Sequence, residues 1–195
     1  MKLSGLEIAR RIEIGSIVIE PFDPAQMNPN SYDLRLDKKL IVYDEVVLDM
    51  KKQNRTHEVI IPPEGIELRP NIVYIGQTIE YTETHDSVPC IDGRSSVGRL
   101  GINIHSTAGF GDVGFCGTWT LEISVLQPIR IYAGVRFCQI HYEGILGEYE
   151  TYQSDKYQGQ REPRPSGLWK EFQDAEARKA PSPDAGGRPP LGRFP

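Results

Sequence analysis

Between Tyr32 and Tyr142 the chain is a succession of short apolar and β-branched runs, broken repeatedly by glycine and proline. Tyr32-Asp33-Leu34-Arg35-Leu36 alternates apolar and polar residues, and Leu40-Ile41-Val42-Tyr43 follows it. Further runs lie near 45–49, 57–61, 66–68, 72–76 and 78–82, and Ile102 to Ile104, Thr118 to Val125, Ile129 to Tyr132 and Arg136 to Tyr142 complete the set. Pro62-Pro63, Pro70, Pro89, Gly114, Gly117 and Pro128 separate them. The spacing is roughly the 8–12 residues of a β-sandwich, barrel or jelly roll. No helical pattern lies between the runs, which argues against a parallel sheet with crossover helices. The chain reads as all-β.

The ends of the chain differ from this middle. Ser4 and Glu7 stand three residues apart as a helix-capping pair, predicting a short helix over residues 4 to 13. Residues 145 to 172 lose periodicity and interleave Tyr149, Tyr152, Tyr157 and Trp169 with Lys156, Arg161 and Arg164, as expected of a segment that orders over something. From Gln173 to Pro195 the chain is rich in Pro, Gly and Ala and is expected to be disordered. At 195 residues this predicts one domain, 1–172, with a tail at 173–195.

A net charge of −5 argues against a general nucleic-acid binder, whose footprint is a strongly basic face. The first residues hold no long apolar region, and no stretch approaches the length of a membrane span, so a cytoplasmic protein is expected. Cys90, Cys116 and Cys138 are odd in number and widely spaced, which favours free thiols over a disulfide framework.

The chemistry is concentrated between Ile91 and Ile123. Gly93-Arg94-Ser95-Ser96-Val97-Gly98-Arg99 offers two guanidiniums, two hydroxyls and pliable backbone, a set suited to phosphate, although a solvated surface hairpin has the same composition. It is neither a Walker A loop nor a dinucleotide-binding glycine pattern. Asp112 lies among glycines, where a turn-forming role competes with contact to a ligand hydroxyl. Along Trp119-Thr120-Leu121-Glu122-Ile123-Ser124-Val125, alternation puts Trp119, Leu121, Ile123 and Val125 on one face, and Thr120, Glu122 and Ser124 on the other. Were the polar face to line a pocket, a partly desolvated Glu122 could move protons near neutral pH.

Zinc-dependent deaminases carry H-x-E followed by P-C-x-x-C. His141-Tyr142-Glu143 matches the first part, but no cysteine follows Cys138. His141 and Glu143 therefore read as ordinary strand residues, and any deamination here is expected to need no zinc.

Taken together, GRSSVGRLG (93–101), HSTAGFGDVGFCGTWTLE (105–122) and SDKYQGQ (154–160) resemble the dCTP deaminase family of the trimeric dUTPase superfamily, as does the early stretch Asn28 to Leu36. The resemblance spans residues 1 to about 172 and implies a distorted jelly-roll β-barrel, assembled as a homotrimer with active sites between subunits. It implies zinc-free deamination of dCTP to dUTP and ammonia, with Mg²⁺ on the triphosphate. Glu122 matches the catalytic glutamate, Ser95 and the Ala108 carbonyl match groups that hold the attacking water, and Arg99 matches the arginine that orders the site. Arg94 and Ser96 match positions around the triphosphate, and Asp112 matches the aspartate near the sugar 3′-hydroxyl. Tyr149, Lys156 and Gln160 match the segment that closes over the phosphates, and Thr120 joins the substrate-facing set beside Glu122.

Ala108-Gly109-Phe110, with the stretch from Lys156 to Arg161, is similar to a bifunctional branch that carries the product on to dUMP and pyrophosphate. Asp112 and Asp33 are then candidates for the phosphate-cleaving water or its metal. Two features depart from the family pattern. Gly111 replaces an aliphatic residue, a change expected to loosen the loop of Asp112, and Ser124-Val125 replaces a more polar pair. A dUTPase without deaminase activity and a silent nucleotide-binding protein are the competing readings. Glu122 and Arg99, together with the missing glycine-rich C-terminal motif of plain dUTPases, speak against the first.

Overall fold

A computed structural model of the chain describes residues 1–179 except Ala108 and Asp155. Helix α1 (Gly5–Glu13) begins where the sequence placed it, with the Ser4 hydroxyl accepting from the Glu7 N–H at 3.2 Å. Its Ile8 is fully buried.

Eleven strands follow among the described residues: β1 (Ile17–Glu20), β2 (Tyr32–Arg35), β3 (Lys39–Tyr43), β4 (Thr56–Ile60), β5 (Ile66–Leu68), β6 (Tyr74–Thr84), β7 (Val88–Gly93), β8 (Ile102–Asn103), β9 (Cys116–Val125), β10 (Ile129–Ile131) and β11 (Arg136–Glu143). One short helix, α2 (Ser95–Gly98), sits between β7 and β8, and α3 (Leu168–Lys179) ends the described chain. The strands form three sheets. The largest runs β4-β3-β6-β9-β8 with β1 also on β6, a second is β2-β11-β7, and β5 pairs with β10. Every named pairing is antiparallel. The inner faces meet in one core, with Tyr32, Leu36, Leu121, Ile123, Phe137 and Tyr142 among its buried members. The all-β expectation is met. No helix among the described residues is long and apolar enough to cross a membrane.

Several local readings change. The two runs at 72–76 and 78–82 are one long strand, β6, whose pairing to β9 shifts register between Gln77 and Tyr81. Residues 45–49 form no strand, and Val46 and Val47 stand in solvent. β7 appears in spite of Pro89, whose free carbonyl accepts from the Gly111 N–H at 2.8 Å. Helix α3 runs through residues 173–179, where disorder was expected. Those residues hold neither glycine nor proline and so can continue a helix, while the Pro/Gly-rich 180–195 lie outside the described residues.

Between the two larger sheets lies a buried ionic seam. The Glu80 carboxylate, wholly withdrawn from solvent, accepts from the Arg35 Nε at 2.6 Å, the Arg35 backbone N–H at 2.8 Å and the Gln26 amide at 3.2 Å. Asp33, on the same strand β2, faces Arg94 Nε at 3.1 Å, Arg136 at 3.8 Å and the Asn28 amide at 2.9 Å.

Candidate active site

The alternation of β9 is realised in three dimensions. Leu121 and Ile123 enter the core, while Thr120 and Glu122 face a cleft of about 450 Å³. Six aromatic rings contribute to its wall. Phe115 packs against Trp119 with centroids 5.0 Å apart and meets Tyr152 edge-on at 6.0 Å, and Phe110, Tyr43 and Tyr157 add to the lining. Asp112 stands at the rim. The volume lies within the range of small-molecule sites.

Burial raises the pKa of Glu122 above the ordinary carboxylate value. The Ser106 backbone N–H and the nearby His105 ring oppose the shift in part. A carboxyl held this way exchanges protons more readily near neutrality than a solvated one. His105 is a group that alternation did not single out. Its Nε2 lies 3.1 Å from the Ile91 carbonyl, while its buried Nδ1 has no partner among the described residues.

The polar, aromatic segment after β11 docks along the first half of β9, as its composition suggested. The Tyr152 N–H donates to the Val113 carbonyl at 2.7 Å, the Gly159 N–H to Cys116 at 2.7 Å, and the Thr118 N–H to the Gln160 carbonyl at 2.9 Å. Gln160 is buried, and its amide nitrogen donates to the Thr118 carbonyl at 2.7 Å and the Thr120 hydroxyl at 3.1 Å. Its Oε1 has no partner among the described residues, a buried acceptor on a residue that lines the cleft.

Four residues expected at the site thus line one cleft: Glu122, Thr120, Asp112 and Gln160. The others do not line it. Ser95, Ser96 and Arg99 lie on or beside α2, exposed to solvent. Arg94 is held by Asp33 and by the Arg136 carbonyl at 3.0 Å, and Lys156 pairs with Glu171 at 2.8 Å. Tyr149 is exposed, and Ala108 lies outside the described residues. Asp33, a candidate for the phosphate-cleaving chemistry, is instead a buried partner of arginines, because the pleat of β2 turns it toward the seam.

The structure is thus an antiparallel β-shell with one half-buried carboxyl in a cleft lined by aromatic rings and covered in part by a C-terminal strap. A family model described as dCTP deaminase-like matches residues 2–145. A protein of Clostridium acetobutylicum named dCTP deaminase, dUMP-forming, is 58% identical over 173 residues, covering 88% of this chain and 99% of the relative. Its namesake in Cytophaga hutchinsonii is 57% identical over 174 residues, covering 89% and 99%. The crystal structure of 2′-deoxycytidine 5′-triphosphate deaminase from Agrobacterium tumefaciens is similar with a TM-score of 0.58 and 26% identity, over 72% of this chain and 47% of that one. The chain belongs to the dCTP deaminase-like family.

Proposed function

We propose that this chain converts dCTP, with two waters, to dUMP, ammonia and pyrophosphate. Sequence alone put release of dUTP first. The names of the relatives, dUMP-forming at more than half identity over nearly their whole length, favour the longer reaction. The observation that carries the deamination step is Glu122, a carboxyl partly withdrawn from water on the wall of an aromatic cleft.

In this reading the cytosine ring lies among the aromatic side chains and presents C4 to Glu122. The carboxylate takes a proton from the attacking water, and the new C–O bond makes C4 tetrahedral. Glu122 passes that proton to N3, then takes the proton of the new C4 hydroxyl and passes it to the amino group, so that the C–N bond breaks as the C4 carbonyl forms and ammonia leaves. Positioned proton transfer of this sort is worth about 10²–10⁴-fold. A second water attacks the α-phosphorus and pyrophosphate departs, with Asp112 at the rim as the candidate to orient that water. Carboxylates line the cleft and, among the described residues, no Cys or His does, a donor set that suits Mg²⁺ carried in on the triphosphate rather than zinc. Bound Mg²⁺ would neutralise phosphate charge.

The exposed position of Ser95 and Arg99 on and beside α2 supports a homotrimer in which α2 of one subunit completes the cleft of the next. Three free cysteines are in keeping with the cytoplasm. The test is to incubate the protein with dCTP and Mg²⁺, without added zinc, and to resolve the nucleotides over time. Direct appearance of dUMP and pyrophosphate supports the proposal. Accumulating dUTP would return the first reading, and unchanged dCTP would remove both.

A further inference from the structure

The register of the β2-β11-β7 sheet brings together three side chains that the linear sequence kept apart. His141 on β11 stands opposite Cys90 on β7, and Glu143 stands opposite Val88. Because strand residues two apart share a face, Cys90 and Asp92 of β7 and His141 and Glu143 of β11 project to the same side. The ligand-capable atoms of Cys90, His141 and Glu143 all lie within 4.8 Å of one another. The zinc-deaminase signature missed this group because it looks for cysteines downstream of H-x-E. Here the thiol arrives on a neighbouring strand, some fifty residues upstream (141 − 90 = 51).

Two observations make the cluster more than a chance meeting. His141 is 7% exposed, and its Nδ1 has no hydrogen-bond partner among the described residues. Its other nitrogen, Nε2, lies 3.0 Å from the Asp92 carboxylate. An N–H held by a carboxylate at Nε2 leaves the Nδ1 lone pair free, on the side where Glu143 Oε1 lies at 4.0 Å. A carboxylate that orients a histidine from behind is the common support of a metal-ligating imidazole.

We propose that Cys90 Sγ, His141 Nδ1 and a Glu143 carboxylate oxygen bind one zinc ion, with Asp92 fixing the histidine and water as the fourth ligand. Sulfur, imidazole and carboxylate together suit Zn²⁺ rather than Mg²⁺ or Ca²⁺. Tetrahedral coordination brings ligand atoms to about 3.5 Å from each other, so side-chain rotations of roughly 1 Å close the site. Glu143 and Asp92 are open to solvent, which gives the ion a path in, and Cys90 releases its proton as the ion binds. None of the three ligands lines the Glu122 cleft. The ion would therefore clamp β7 to β11 just before Gly93 and Arg94, and it is independent of the deamination chemistry.

The experiment uses the full chain, stripped with a chelator and titrated with Co²⁺ and then Zn²⁺. One Co²⁺ per chain is expected, with the visible bands of tetrahedral coordination and a thiolate charge-transfer band in the near ultraviolet, displaced by Zn²⁺. Cys90→Ser should abolish the charge-transfer band, and Cys116→Ser should leave it. Asp92→Asn, which keeps all three ligands, should weaken zinc about 10–100-fold in competition with a chromophoric chelator. Zinc should also raise the melting temperature of the wild type and not of Cys90→Ser, which separates binding from folding defects. Absence of the charge-transfer band, or its survival in Cys90→Ser, would overturn the proposal. So would unchanged affinity in Asp92→Asn.

Discussion

A methyl group at Gly111 would meet the Trp119 ring at 2.6 Å and the Pro89 ring at 3.3 Å. The tryptophan has little room to give, since it is buried and its Nε1 donates to the Thr82 hydroxyl at 2.9 Å. The glycine that sequence comparison expected to loosen the Asp112 loop is therefore a close-packing contact, pinned by its own N–H to Pro89. Gly111→Ala should cost about 1–3 kcal/mol by overpacking, read as a lower denaturation midpoint with little change in m. Glu122 makes the opposite case, a native residue that works against stability. Burial raises its folded pKa above the unfolded value, so its contribution to stability is full below about pH 4 and is lost as pH rises through the folded value. Glu122→Gln should therefore melt higher than wild type at pH 7–8 and lose that advantage near pH 4. The same substitution should lower turnover of dCTP by about 10²–10⁴-fold.

At the scale of elements, alternation and turn residues read the β-fold well because each strand of the core buries one face. The misses have local causes. Pro89 hid β7, since proline inside a run argues against a paired strand. The exposed run around Val46 and Val47 imitated a strand without a sheet to join. The cleft-facing position of Glu122 was legible from the pleat of β9, whereas the pairings of Arg94 and Asp33, and the cluster of Cys90 with His141, depend on strands distant in sequence. The strap over β9 was legible only as a change of composition, and Gln160 is one of the residues that register it. Gln160→Ala removes the side-chain bonds to the Thr118 carbonyl and the Thr120 hydroxyl, while the backbone bond from Thr118 N–H to residue 160 remains. KM for dCTP should rise about tenfold, the equivalent of roughly 1.4 kcal/mol, with a smaller change in kcat, as steady-state kinetics would record.

For the whole molecule, the separation of expected site residues into a cleft set and an α2 set makes a prediction about mixtures. In the proposed trimer, Glu122→Gln would spoil the cleft of its own subunit, and Arg99→Ala would spoil only the α2 that a subunit lends to its neighbour. Each protein alone should be nearly inactive. Subunits exchanged between the two should regain activity, because some interfaces then pair an intact cleft with an intact α2. An assay after mild dissociation and reassembly checks this, and a mixture as inactive as its parts would place the whole site within one chain. The strap carries a different consequence. It pairs with the edge of β9 at Cys116 to Thr118, so if the proposed reaction lifts it to admit or release a nucleotide, a short row of backbone donors and acceptors would face water unpaired. Such an edge invites the strands of other molecules. Nucleotide that holds the strap down would thus protect the protein from sticking to its own kind, and idle protein at high concentration would be the form most prone to aggregate.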